Sequence, residues 1–404
     1  MMSLHSRREL LTVVAPRYRT AQGQERTRIL EEFVASSGYH RKYALALLNH
    51  PITKSTVRKP RKRPRRYTFA VQQALLTCWR ATNGICSKRL VPYLPELVAV
   101  LERVGELHLD TETKSRLLAL SPATADRLLQ AERQRSKPHG LSTTKPGTLT
   151  KDAIPIRTFA DWDDVQLGFS EVDLVAHCGQ TAKGEYLHSL TLTDVVTGWT
   201  ECVALRNRGQ QVVWAAIVCA RARLPFPLRG IDSDNGVEFI NEHLLRYCQQ
   251  EHLTFTRSRP YKKNDQAYVE QKNWSIVRQL VGYGRYEGQA ACDRLHRLYD
   301  VVRLYTNFFQ PSMKLVSKER VGGKVKKKYD TAKTPYQRVL ASEQVEDSVK
   351  EALQQEYLTL NPVALLRQIR RYQAAFWELA VGDWAVQWSW KVSSRCMECV
   401  GLAV

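Results

Sequence analysis

The sequence predicts an α/β core, a mixed sheet with helices on both faces, preceded by all-α helix-turn-helix modules and followed by a mostly helical C-terminal region. Three observations predict it. Strand-like runs rich in β-branched residues gather in residues 168–257, and there they alternate with helical patterns. Residues 8–135 carry apolar residues at helical spacing, and helical spacing returns after residue 290.

The chain has 404 residues, enough for two or three domains that each bury a core. Sixty-one Lys and Arg against 40 Asp and Glu give a net charge of +21 and a pI near 9.7. That balance suits a protein that neutralises phosphates and is unusual for an enzyme of small anions. No apolar run is long enough to span a membrane, and Met1 to Arg8 lacks the apolar core of a signal peptide, so a cytoplasmic, nucleoid-associated protein is expected. The nine cysteines sit mostly singly in apolar patterns and read as small core residues in a reducing compartment. Cys396 and Cys399 have zinc-like spacing but no second pair nearby.

Residues 1–53 form the first module. Ile29, Leu30, Phe33 and Val34 give one helical face, Ser36-Ser37-Gly38 breaks it, and Tyr43, Ala44, Leu47 and Leu48 give the next. In a helix-turn-helix the second helix would offer His40, Arg41 and Lys42 to a major groove, although a helical hairpin with a solvated basic face fits the segment equally. Residues 54–67 are a basic linker in which Pro60 and Pro64 keep Arg61, Lys62, Arg63, Arg65 and Arg66 extended, suited to phosphates or a minor groove as well as to solvent. Residues 68–135 form a second helical module. Ser121 as N-cap and Pro122 at the first helical position start a helix that would present Thr124 and Arg127 to DNA. Residues 136–154 read as a linker.

Residues 155–285 form the core. Strands are expected at 168–176, 186–193, 200–205, 228–234 and 253–257, with helices at 210–224 and 239–251. The segment 257–265 is basic and proline-broken; it reads as a mobile loop, with Tyr261, Lys262 and Lys263 available to stack on and neutralise a DNA end. A helix over 266–281 carries Glu270 with Asn273 and Arg278 on a face that could meet a phosphate. In residues 286–404, helices are expected at 292–309, from Thr334-Pro335, at 345–360 and at 362–377; the basic stretch 318–328 is expected to be a flexible DNA-contacting segment, and the tail beyond 378 a few short strands.

The acids carry the chemistry. Asp173 lies within the apolar run Phe169 to Val175, Asp234 ends the run from Leu228 and precedes Asn235-Gly236, and Glu270 opens a helix with thirty-five residues between it and Asp234. One such acid alone is usually a turn former or cap. Three on strand ends and a helix face suit hard divalent cations, which take oxygen ligands. Asp232 reads as supporting rather than ligating, and His177 either as a hydrogen-bonding structural residue or as an assistant to the site.

These residues, with their order and spacing, resemble the DDE catalytic core shared by retroviral integrases and integrase-type bacterial insertion-sequence transposases. The resemblance implies an RNase H-like core in which Asp173, Asp234 and Glu270 hold two Mg²⁺ ions, with Mn²⁺ able to substitute. It implies metal-dependent strand cleavage and transfer on double-stranded DNA, both element ends and target, by a homo-oligomer assembled on the terminal inverted repeats. The zinc module of the retroviral proteins is missing, so end recognition falls to the helix-turn-helix units. A non-catalytic DNA-binding regulator and an RNase H-like nuclease without joining activity are the competing expectations.

Overall fold

Ser3 starts the first helix by accepting a hydrogen bond from the Ser6 N–H, and α1 runs Leu4–Thr20. The computed structural model describes residues 2–50, 67–135, 166–233, 238–239, 242–257 and 266–382. Two compact units divide the chain, residues 1–66 and 67–404.

In the first unit α2 (Gly23–Ser37) stops at Gly38, whose φ of 69° is the left-handed conformation that glycine adopts without a Cβ clash. The chain then turns into α3 (Arg41–Asn49), with the His40 ring accepting from the Lys42 N–H at 3.4 Å. Leu11, Tyr18, Ile29, Leu30, Phe33, Ala44 and Leu48 bury the inner faces of the three helices against one another.

The second unit begins with five helices, α4 (Phe69–Ala81), α5 (Ser87–Arg103), α6 (Thr111–Leu118), α7 (Pro122–Leu128) and α8 (Gln130–Arg135). Ser121 caps α7 as the sequence predicts, accepting from the Thr124 N–H with Pro122 in the first turn. These helices are not a free-standing module. The Tyr305 hydroxyl donates to the Ala81 carbonyl at 2.9 Å, Glu96 accepts from the Tyr357 hydroxyl at 2.8 Å, and Arg103 donates to the Tyr357 carbonyl at 3.1 Å. The linker expected at 136–154 lies outside the described residues.

Five strands follow, β1 (Phe169–Ala176), β2 (His188–Asp194), β3 (Thr200–Leu205), β4 (Gly230–Ser233) and β5 (Thr254–Arg257), in the order β3-β2-β1-β4-β5. The first three form an antiparallel meander, and β4 and β5 run parallel to β1. Alternation within each strand feeds two cores. Val172, Leu190, Val203 and Ile231 meet α9 (Gln210–Ala222) and α10 (Glu242–Gln250) on one face. Val175, Cys202 and Ala204 meet α13 (Gly288–Phe309) on the other, the layer completed by α14 (Pro335–Leu340), α15 (Asp347–Thr359) and α16 (Pro362–Trp377).

The helix expected over 266–281 is α11 (Ala267–Lys272), a π-helical turn (Asn273–Arg278) and α12 (Gln279–Val281). The flexible segment expected at 318–328 is instead an ordered hairpin, β6 (Leu315–Val321) and β7 (Lys324–Tyr329), turning at Gly322, whose φ is 61°. Val316 and Val325 supply β-branched residues to the two strands and Gly322-Gly323 supplies the turn. Among the described residues no helix is long and apolar enough to cross a membrane. The tail beyond residue 382, with Cys396 and Cys399, lies outside them.

Candidate active site

Alternation along β1 puts Glu171, Asp173 and Val175 on the face that meets α11 and α13, with Val172 on the opposite face. The parallel register pairs Glu171 with Asp232 and ends at Val172 with Ser233. Asp173 is the next residue along β1, and Asp234, which follows Ser233 in sequence, lies outside the described residues. Asp173 is half-buried; one carboxylate oxygen accepts from the Leu174 N–H at 2.8 Å and the other from the Asn273 side-chain amide at 2.6 Å. Asn273 is buried at the head of the π-helical turn, and its Oδ1 meets no donor among the described residues. Glu270 is exposed and stands three residues before Asn273, one helical turn away on the same side. A short charge-assisted bond of this kind fixes the Asp173 carboxylate and draws the Glu270 turn onto β1.

Behind these outward acids lies a buried pair. Glu171 is 2% exposed and Asp232 3%. The Glu171 carboxyl accepts from the Val269 N–H at 2.8 Å. Gln266, at the N-cap of α11, makes no side-chain capping bond, so the acceptor for this helix start comes from β1. Asp232 accepts from the Thr256 hydroxyl at 2.6 Å, and its carbonyl accepts from the Gln266 amide at 3.4 Å. Burial, with Asp232 and Glu270 adding to it and the Val269 N–H opposing, pushes Glu171 up to about 8, so at neutral pH it is largely the uncharged acid. Its carbonyl oxygen can still accept.

Sequence reasoning missed Glu171, although its place two residues before Asp173 on a strand already put both on one face. His177 is wholly buried; its Nε2 pairs with the Ser189 hydroxyl at 2.7 Å, which in turn meets the Tyr299 hydroxyl at 2.5 Å. Burial, then Arg278 and His188, lower it to about 3, which makes it a neutral member of the core. Arg278 is half-buried, stacked 4.8 Å over the Tyr283 ring and donating to the Gly282 carbonyl at 3.3 Å. Thr124 is half-exposed and accepts from Arg127, which is exposed. His40, Arg41 and Lys42 are exposed, with Arg41 3.5 Å from Glu31. Arg61, Lys62, Arg63, Arg65, Arg66, Tyr261, Lys262 and Lys263 lie outside the described residues. Among the described residues no group of three or more His, Cys, Asp or Glu side chains is placed to hold a metal ion, and that set does not contain Asp234.

Residues 167–263 match the family model of the integrase core domain. The chain is 45% identical over 337 residues to the uncharacterized protein y4rM of Sinorhizobium fredii, an alignment that covers 83% of this chain and 96% of y4rM. Solved structures with some likeness include the catalytic core domain of BIV integrase, at 19% identity and a TM-score of 0.30 over 44% of this chain and 95% of that one. Another is the HTLV-2 integrase catalytic core domain in complex with magnesium, at 17% identity and a TM-score of 0.27 over 36% and 88%. The integrase core match falls on the sheet described above, whose antiparallel meander followed by two parallel strands is RNase H-like. With nearly the whole length of y4rM aligned at that identity, the chain belongs to the y4rM family, and its residues 167–263 match the integrase core domain.

Proposed function

We propose that the protein binds the ends of a DNA element and catalyses their metal-dependent cleavage and strand transfer, with Asp173, Asp234 and Glu270 as the metal-holding carboxylates. The bond from Asn273 to Asp173 is the observation that supports this reading most directly, because it ties two residues 100 apart in sequence and brings the Glu270 turn beside the Asp173 strand. Asp173 and Glu270 are oxygen donors that are not sealed in the core, and such a set fits a hard cation. Bound there, two Mg²⁺ ions, or Mn²⁺ in their place, would supply Lewis acidity and neutralise charge at the scissile phosphate.

The chain's own residues do the rest. Asn273 orients Asp173, Glu171 fixes the start of the helix that carries Glu270, and the cations bring DNA to them. His40, Arg41, Lys42, Thr124 and Arg127 are the candidates for base and groove contacts at the element ends. The arm with Arg61, Lys62, Arg63, Arg65 and Arg66 would follow phosphates, and Tyr261, Lys262, Lys263 and Arg278 would hold the DNA end near the acids. Residues 1–135 would thus recognise ends and residues 155–285 perform the chemistry, in a homo-oligomer that pairs two ends.

A labelled element end incubated with a target plasmid and Mg²⁺ tests this. The intact protein should cut and join. Asp173→Asn and Glu270→Gln should bind the end and do neither, and Ca²⁺ should not replace Mg²⁺. Full activity of either variant, or activity in excess EDTA, would sink the proposal; cutting without joining would leave a nuclease.

A further inference from the structure

The hairpin β6–β7 is strongly cationic. Lys318, Arg320, Lys326, Lys327 and Lys328 stand on it against one acid, Glu319. Register sorts them onto both faces. Lys326 and Lys328 oppose Glu319 and Ser317 on one face, while Lys318 opposes Lys327 on the other, where Arg320 also stands. Directly opposed like charges weaken a sheet, and a lone two-stranded ribbon is marginal in water. Val316 and Tyr329 are 62% and 44% exposed, so little packing offsets that cost.

The root, by contrast, is firmly held. Lys314 N–H donates to Asp330 at 2.6 Å, Asp330 pairs with Arg338 at 2.7 Å, and the Ser312 N–H meets the Lys333 carbonyl at 2.9 Å. The Lys314 ammonium caps the Val195 and Val196 carbonyls at the end of β2 and lies 5.3 Å from the ring of Tyr268. Tyr268 is in α11, two residues before Glu270. A root bonded at several points and set against the Glu270 helix thus displays a cationic ribbon, whose seven-residue first strand reaches roughly 20 Å.

We propose that this ribbon lies in a groove of duplex DNA and sets the duplex against the helix that carries Glu270, an inference that rests on the DNA-handling function proposed above. A groove presents phosphates on two walls, which suits cations on both faces; a membrane or a flat acidic surface would meet only one face. The major groove, about 12 Å wide, admits a two-stranded ribbon. Bound phosphates would also relieve the Lys318–Lys327 repulsion.

The test uses the full chain with Lys318, Arg320, Lys326, Lys327 and Lys328 changed to Gln, in binding isotherms on a mixed-sequence duplex at several salt concentrations. Affinity should fall, and the slope of log K against log salt should flatten by about 0.9 for each phosphate that is no longer neutralised, up to roughly 4–5 in all. In the unaltered protein the duplex should shield the Lys318 and Lys327 amines from acetylation, and high salt should abolish the shielding. An unchanged slope in the folded variant, equal acetylation with and without duplex, or shielding by phosphatidylserine vesicles in place of duplex would each overturn the inference. If the unaltered protein binds no duplex at all, the proposed function falls with it; if it binds and the variant binds just as it does, the ribbon assignment alone is wrong.

Discussion

Replacing Glu171 separates a structural tie from a chemical role. The side chain is buried, and its bond to the Val269 N–H is the side-chain acceptor supplied to the start of α11. In Glu171→Ala that N–H is left buried without its acceptor, at a cost of about 1–3 kcal/mol. The damage to activity should exceed the damage to stability, because Glu270 is the residue after Val269 and a displacement of about 1 Å at a reacting centre can cost about 100-fold in rate. Glu171→Gln keeps a carbonyl oxygen in the same place and, since burial keeps Glu171 largely uncharged at neutral pH, also matches its charge. Urea unfolding and single-turnover strand transfer over a range of Mg²⁺ concentrations would read both effects. Glu171→Ala should be less stable, slower and need more metal; Glu171→Gln should stay within a few-fold of the unaltered protein. If Gln is as inactive as Ala, the carboxyl itself takes part in the chemistry; if Ala is fully active, α11 does not depend on this bond. Either outcome refutes the reasoning.

Two further outcomes test the core around the site. The His177 imidazole has its folded pKa depressed to about 3 from an ordinary value near 6.5, so its stabilisation is complete above pH 6.5 and is lost as pH falls toward 3, roughly 2 kcal/mol by pH 5; urea unfolding of His177→Asn from pH 7 to 5 should lack that part of the decline, and an identical slope would refute it. Arg303 pairs at 2.9 Å with Glu201, whose side chain is fully buried, so Arg303→Met should destabilise by about 3–5 kcal/mol, and adding Glu201→Gln should recover part of the loss, which thermal unfolding of the single and double variants would show.

The strands of the core were legible because runs of β-branched and apolar residues stand between turn signals such as Gly184 and Thr197-Gly198. Thr200 to Leu205 matches β3 residue for residue, and Cys202 and Val203 feed opposite cores. The hairpin at 315–329 was not legible, because its lysines imitate a solvated loop and its strandedness rests on weak alternation around Gly322-Gly323. Nor could local periodicity show that the helices of residues 67–135 pack on the last third of the chain. The contacts responsible, such as Tyr305 to Ala81, span more than 200 residues and leave no period.

The order and spacing of Asp173, Asp234 and Glu270 could be read from the sequence, but the contacts that hold α11 against β1 could not. Val269 and Asn273 lie four residues apart on a helical run, a rise of about 6 Å, and they bond Glu171 and Asp173, two residues apart on β1, a span of about 6.6 Å. Matching spacings mean that the helix and the strand run side by side and are pinned at two points, with Glu270 between them. One pin alone would let the helix pivot; two fix both its rotation and its advance along the strand. A slip of a single helical residue turns the helix by about 100° and breaks both bonds together, so no neighbouring register keeps Glu270 beside Asp173. The sequence contains the four residues, yet only the parallel approach of two segments almost 100 residues apart turns them into a clamp.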